Sequence, residues 1–294
     1  MEKTVQKNDV TFKRQSQWKE VWRRFRKSKG SVIGLILLTI IALMLIFAEQ
    51  IAPYENAITQ DFSCYLAKPS AEHIMGCDNY GRDVFARVLH GGRTSLLIAL
   101  LATVCSCAVG SLLGAIAGYF GGIVDNVIMR ALDIFMSVPD ILFTMAVVVA
   151  LGASFQNLLI ALTLAYFTNY VRLVRSQVLN LSELDYVEAA RAGGSGNFRI
   201  IFSHILPNAV GVIIVNVTLN VAKIILYEST LSFLGLGMPP PQPEWGLMLS
   251  EAREFMRTTP TLVFFPAAAI VLCACSVNLV GDGLRDALDP HLKS

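Results

Sequence analysis

The sequence predicts an all-α integral membrane protein with six transmembrane helices and both termini cytoplasmic. Three observations carry that reading. Of 294 residues, 54% are hydrophobic and only 16% charged, more apolar side chain than a soluble domain of this length can bury. The surplus is gathered into six runs, each near the roughly 20 residues that cross about 30 Å of hydrocarbon as helix. Basic residues crowd one flank of the first run. The net charge of +2 is too small to point to nucleic acid, and in a membrane chain the placement of charge matters more than its sum.

The elements follow in chain order. Residues 1–30 form a cytoplasmic amphipathic segment, where Trp18, Val21, Trp22 and Phe25 recur at helical spacing. Lys13, Arg14, Lys19, Arg23, Arg24, Arg26, Lys27 and Lys29 precede the first span and assign that end to the cytoplasm. Two readings fit this segment: a helix lying against membrane lipid, or a solvated positive flank. Residues 31–92 hold the first span, from Ser31, and an external loop where acids outnumber bases. The first apolar run lacks a small-residue cleavage site and reads as a retained helix. Residues 93–282 carry the other five spans. They start at Ser95, at about Asp125 with a kink at Pro139, near Asn157, near Ala209, and at Thr258 to Pro260. Residues 283–294 are a cytoplasmic tail, and the Pro-rich stretch 229–259 lies outside.

Several side chains ask for a role. Cys105, Cys107, Cys273 and Cys275 fall within spans, in pairs two residues apart, so neither pair shares a helix face, and they read as small apolar filler. Cys64 and Cys77 fall in the external loop, where a disulfide and two unpaired thiols are both open. Aromatics Phe62, Tyr65, Tyr80 and Phe85 favour ordered packing of that loop. Gly110, Gly114 and Gly118, at spacing four, let a second helix approach closely, either within the chain or in a partner. Charges inside spans are costly. Lys223 and Glu228, with Asn216 and Asn220 on the same helix, either line a polar pathway or contact a partner, or Lys223 simply reaches for the headgroups. His73, His90, His204 and His291 are scattered, so no metal site is evident and no cofactor is expected in this chain.

The stretch 182–208 interrupts the apolar pattern on the cytoplasmic side. Ser182 with Asp185 reads as a capping pair opening a short helix through Ala192, which the glycines at 193, 194 and 196 end. A second short helix follows, with Phe198, Ile201, Phe202 and Ile205 turned to the bundle, and Pro207 closes it. So short a helix is marginal alone and needs a surface to pack on. No metalloprotease motif, no serine with a nearby base and no paired intramembrane aspartates are present, which argues against catalysis. A nucleotide-binding Gly-rich Lys loop is missing too, so the energy for any pumping must come from a partner.

This stretch resembles the EAA loop of ABC-importer membrane subunits, Glu-Ala-Ala, three residues, Gly, nine residues, Ile, one residue, Leu-Pro. Glu188, Ala189, Ala190, Gly194, Leu206 and Pro207 match, and His204 takes the Ile position. "MGCDNYGRDVFARVLHGGRTSL", "LSFLGLGMPPPQPEWGLML" and "NLVGDGLRDALDPHLKS" are similar to the second permease of dipeptide, oligopeptide and nickel importers. The likeness spans nearly everything beyond residue 20, with Cys77 where Thr is usual. The resemblance implies a type I ABC-importer permease fold with a core over 93–282. It implies a coupling helix whose contact face includes Glu188, Ala189, Ala190 and Arg191. It also implies a second permease, two ATPase subunits that bind ATP and Mg, and an extracytoplasmic solute-binding protein. Peptides are the expected cargo and nickel or a metal chelate the alternative. An ATP-independent channel or intramembrane enzyme is the rival of a different class.

Overall fold

The computed structural model describes residues 17–288, with side chains from Lys19 onward. The expectations for Lys13, Arg14 and His291, for the Trp18 side chain and for the tail past residue 288 lie outside the described residues. Among these residues the fold is helical, with a single isolated β-bridge between Cys77 and Asp83.

The chain opens with α1 (Gln17–Phe25), α2 (Lys29–Ile46), α3 (Ala48–Ile51) and α4 (Tyr54–Ile58). Part of α1 packs on protein, which neither reading of the N-terminal segment anticipated. Phe25 is buried against Val280 and Ala287, with Val21 partly buried beside it, while Trp22 stays exposed. Asp83 then caps α5 (Val84–Phe120) by accepting from Ala86 N at 2.8 Å. The second span therefore starts eleven residues before Ser95, and the boundary expected between 92 and 93 falls inside a helix. The capping carboxylate, itself polar, left no apolar signal to mark that start.

α5 packs against α8 (Phe155–Ser182) along the glycine stripe. Gly110 faces Phe167 and Tyr170, Gly114 faces Val171 and Val174, and Gly118 faces Arg175 and Val178. The stripe is thus an intrachain seam and not a partner interface. Because the residue numbers rise together along it, α5 and α8 run parallel. Parallel neighbours require the chain between them to recross the layer. α6 (Gly122–Met136) and α7 (Asp140–Leu151) make that return as a pair bent by 83°. The kink expected at Pro139 is therefore a break, since proline lacks the N–H that would carry α6 onward. Among the described residues five helices are long and apolar enough to cross a membrane unbroken, and this bent pair, taken as one span, makes a sixth.

The rest comprises α9 (Asp185–Ala192), α10 (Asn197–Ile200), a π-helical turn Ile201–Ile205, α11 (Leu206–Phe233), α12 (Trp245–Ala252) and α13 (Thr261–Leu288). The fifth span is continuous from Asn197 to Phe233. Pro207 does not close a separate piece, because it sits in the first turn of α11 just after the π turn. Pro207 lacks the N–H that would continue the ladder at that point, and the helix continues past it through the widened i→i+5 turn at Ile201–Ile205. The last span likewise runs to Leu288, so the expected tail begins within a helix.

At the end of the bundle away from α9, the external loop forms a folded cap. Of the four aromatics expected to order it, Phe85 packs there, beside Tyr54, while Phe62, Tyr65 and Tyr80 are exposed. Small residues Ala48, Ala57 and Ala86 with Leu89 make one contact region. A buried ion network makes the other: Arg82 meets Asp78 at 2.7 Å and Glu251 at 2.8 Å, and Arg87 meets Glu251 at 2.8 Å. Trp245 donates from Nε1 to Val88 O at 2.9 Å, tying α12 to α5.

Candidate functional site

The exposed helix α9 is the element the sequence singled out, and its placement follows from three local devices. Ser182 is not its cap. That hydroxyl donates to Leu179 O at 2.9 Å inside the last turn of α8, and Leu184 occupies the N-cap position without a side-chain bond. Val187 anchors the helix, fully buried among Ala115, Val174, Val178, Ile200 and Ile201. A Schellman motif ends it: Ser195 N donates to Ala190 O at 3.1 Å and Gly194 N to Arg191 O at 3.0 Å, with Gly194 at φ +78°. Glu188, Ala189 and Arg191 are exposed, and Ala190 is half-buried beneath them. Arg191 lies over the Tyr119 ring at 5.8 Å, while Tyr119 donates to Asn197 Oδ1 at 3.0 Å, so the end of α5 braces both sides of the glycine joint.

The second half of the elbow differs from expectation. Ile200, Ile201 and Ile205 are the buried anchors, and Phe198 and Phe202 face outward at 68% and 51% exposure. Ile201 and Ile205 thus face inward as the spacing predicts, while Phe198 and Phe202 do not and Ile200 takes an inward place. Leu206 is half-buried against the same cluster, Pro207 is exposed, and His204 is half-buried with its carbonyl accepting from Asn208 Nδ2 at 2.6 Å. Sequence reasoning missed Val187, although it is the lone β-branched aliphatic between Leu184 and Ile200. Tyr119, some seventy positions away, carried no signal.

Lys223 and Glu228 do not form a unit. Lys223 is exposed, whereas Glu228 is fully buried, with Ser229 Oγ donating to its Oε2 at 3.5 Å. Asn220 is buried in the bundle. Asn216 borders an open cavity of about 590 Å³ between α11 and α13, together with Asn208 and Arg285. Cys64 and Cys77 are both free thiols. Burial, with Cys64 alongside, pushes the Cys77 thiol up to about 12. Of the scattered histidines, His73 lies against both of these cysteines.

Comparison with known proteins agrees with this architecture. Residues 110–294 match the binding-protein-dependent transport system inner membrane component family, and residues 16–69 match the N-terminal transmembrane domain of oligopeptide transport permease C. The chain is 44% identical over 279 residues to the dipeptide transport system permease protein DppC of Alkalihalophilus pseudofirmus, covering 95% of this chain and 91% of that one. It is 39% identical to DppC of Haemophilus influenzae, covering 97% and 98%. Against the glutathione transport system permease protein GsiD of Pectobacterium atrosepticum the identity is 41%, covering 94% and 92%. The fold is similar to that of the inward-facing MetNI methionine ABC transporter, with a TM-score of 0.55 at 19% identity over 69% of this chain and 96% of that one. These relatives are transport permeases and not enzymes. The match over residues 110–294 and the 44% identity over 95% of the chain place this multi-pass chain in the family of binding-protein-dependent transport inner membrane components, the permeases of ABC importers.

Proposed function

We propose that this chain is one of two permease subunits of a bacterial inner-membrane importer for di- and oligopeptides, with both termini in the cytoplasm. A second permease completes the pathway, two ATPase subunits bind ATP and Mg, and a solute-binding protein delivers cargo to the cap. The observation that carries the reading is α9, an exposed helix of eight residues rigidly held at one end of the bundle by Val187 and Gly194. Its exposed Glu188, Ala189 and Arg191 form the ATPase contact, and closure of the ATPases on ATP turns the bundle from inward-facing to outward-facing by rigid-body rocking. Relatives named for dipeptide and glutathione transport support peptide cargo over nickel or a metal chelate.

The test uses the reconstituted complex in proteoliposomes. Glu188→Lys should insert and assemble, and hydrolysis of ATP should continue while uptake of labelled dipeptide is lost. Normal uptake by that variant refutes the coupling role. Copurification without ATPase subunits would instead favour a stand-alone channel or membrane enzyme, and uptake of a nickel chelate but not of peptides would change the cargo.

A further inference from the structure

Three side chains with an affinity for soft cations meet in the cap. Cys64 ends the 3-10 turn Phe62–Cys64. His73 closes a tight turn in which Ser70 N donates to His73 O at 2.8 Å and His73 N donates to Ser70 Oγ at 3.0 Å. Cys77 sits on the bridge to Asp83, and its N–H donates to Ala67 O at 3.0 Å. One ligand atom from each residue lies within 4.8 Å of the other two. Main-chain bonds near His73 and Cys77 thus fix the backbone that carries two of the three donors.

One donor separation matches that of a metal centre. Cys64 Sγ stands 3.6 Å from His73 Nε2. Around a tetrahedral Zn²⁺, a sulfur at about 2.3 Å and a ring nitrogen at about 2.05 Å are about 3.6 Å apart. A second, independent feature points to a cation: His73 Nδ1 is 2.8 Å from Asp83 Oδ2. A carboxylate behind a histidine fixes the ring and its tautomer and presents Nε2 to a metal. Asp83 is itself held, because its Oδ1 caps α5. Access is graded, with Cys77 fully buried at the back and Cys64 and His73 half-buried at the mouth.

We propose that Cys64, His73 and Cys77 form a binding site for a thiophilic d10 cation, with Zn²⁺ as the reference ion and Asp83 as the residue that orients His73. On binding, each thiol releases its proton to water, and the ion takes two thiolates and the neutral Nε2, with water at the fourth position. Bound there, the cation ties the turn at 62–77 to the first residues of α5.

The experiment uses the full chain purified in detergent with a reductant and without a polyhistidine tag, with Co²⁺ and Zn²⁺ as probes. One equivalent of Co²⁺ should give thiolate charge-transfer absorption and the intense d–d bands of a tetrahedral site, and Zn²⁺ should abolish both. Cys64→Ser, His73→Ala and Cys77→Ser should each lose the signal, while Cys275→Ser retains it. Asp83→Asn should weaken binding about 10- to 100-fold and leave the charge-transfer band in place. Without any substitution, Zn²⁺ should slow maleimide labelling of Cys64 and leave that of exposed Cys275 unchanged, which covers the case of a variant that fails to fold. Absence of binding under reducing conditions, binding indifferent to these residues, or a Cys64–Cys77 disulfide that persists in the reduced preparation would overturn the proposal.

Discussion

Gly194 offers a test in which conformation is separated from contact. Its φ of +78° lies in the left-handed region, yet a Cβ added there meets nothing within 4 Å. A substitution therefore acts through the backbone alone. Forcing an ordinary residue into that region costs about 1–2 kcal/mol, whereas Asn adopts it with little penalty. One to two kcal/mol corresponds to about a 5- to 30-fold shift in an equilibrium, which is ample for a helix of eight residues that is marginal by itself. Gly194→Val should thus depopulate the ordered end of α9, and Gly194→Asn should stay close to the unmodified protein. Two readouts check this: hydrogen exchange across residues 185–195, and dipeptide uptake per ATP hydrolysed in proteoliposomes. The Val variant should exchange faster there by about that factor and transport less per ATP, with the Asn variant unaffected. Equal behaviour of Val and Asn would refute the reasoning, because the left-handed turn would then have no part in holding the helix.

Other perturbations reach the bundle and the cap. Gly114→Leu would push a Cβ to 2.5 Å from Val171 O and 3.0 Å from Arg175 N. Backbone atoms cannot yield cheaply, so a loss of at least about 1–3 kcal/mol is expected, read as a lower unfolding temperature in detergent with membrane insertion intact. Glu251→Ala removes the carboxylate that receives both Arg82 and Arg87 at 2.8 Å. Leaving two buried guanidiniums with Asp78 alone should cost about 3–5 kcal/mol, seen as faster hydrogen exchange over residues 78–87 while exchange in α9 is unchanged.

Legibility in the sequence followed the range of the forces involved. The apolar spans and the Glu188 to Ala192 helix were readable because burial in lipid and glycine termination are written locally. The glycine stripe announced close packing, but only the parallel pairing of Gly110, Gly114 and Gly118 with Phe167 to Val178 said against what. Over residues 198–205 the spacing identified Ile201 and Ile205 as inward but not Ile200, and it wrongly included Phe198 and Phe202. The early start of α5 was hidden because Arg87, His90 and Arg93 read as loop residues, yet each finds a distant partner: Arg87 pairs with Glu251, His90 with Ala52 O at 2.8 Å, and Arg93 with the carbonyls of Leu45 and Ile46 at the end of α2. His73 was invisible as a neighbour of Cys77 because the turns that bring them together are backbone bonds between residues of no special type.

The unbroken run from Asn197 to Phe233 has a mechanical meaning. Thirty-seven residues of helix make a rod about 55 Å long, with the glycine joint before it and no hinge at Pro207. Each degree of tilt imposed at the α9 end sweeps the far tip by about 1 Å over that length. The tip carries Ser229 and Ser232 against Gly246 of the cap, so under the proposed coupling role a tilt of a few degrees at the α9 end would displace this contact by several ångströms. Pro207 lies inside this run, directly after the π turn Ile201–Ile205, and the helix continues through it to Phe233.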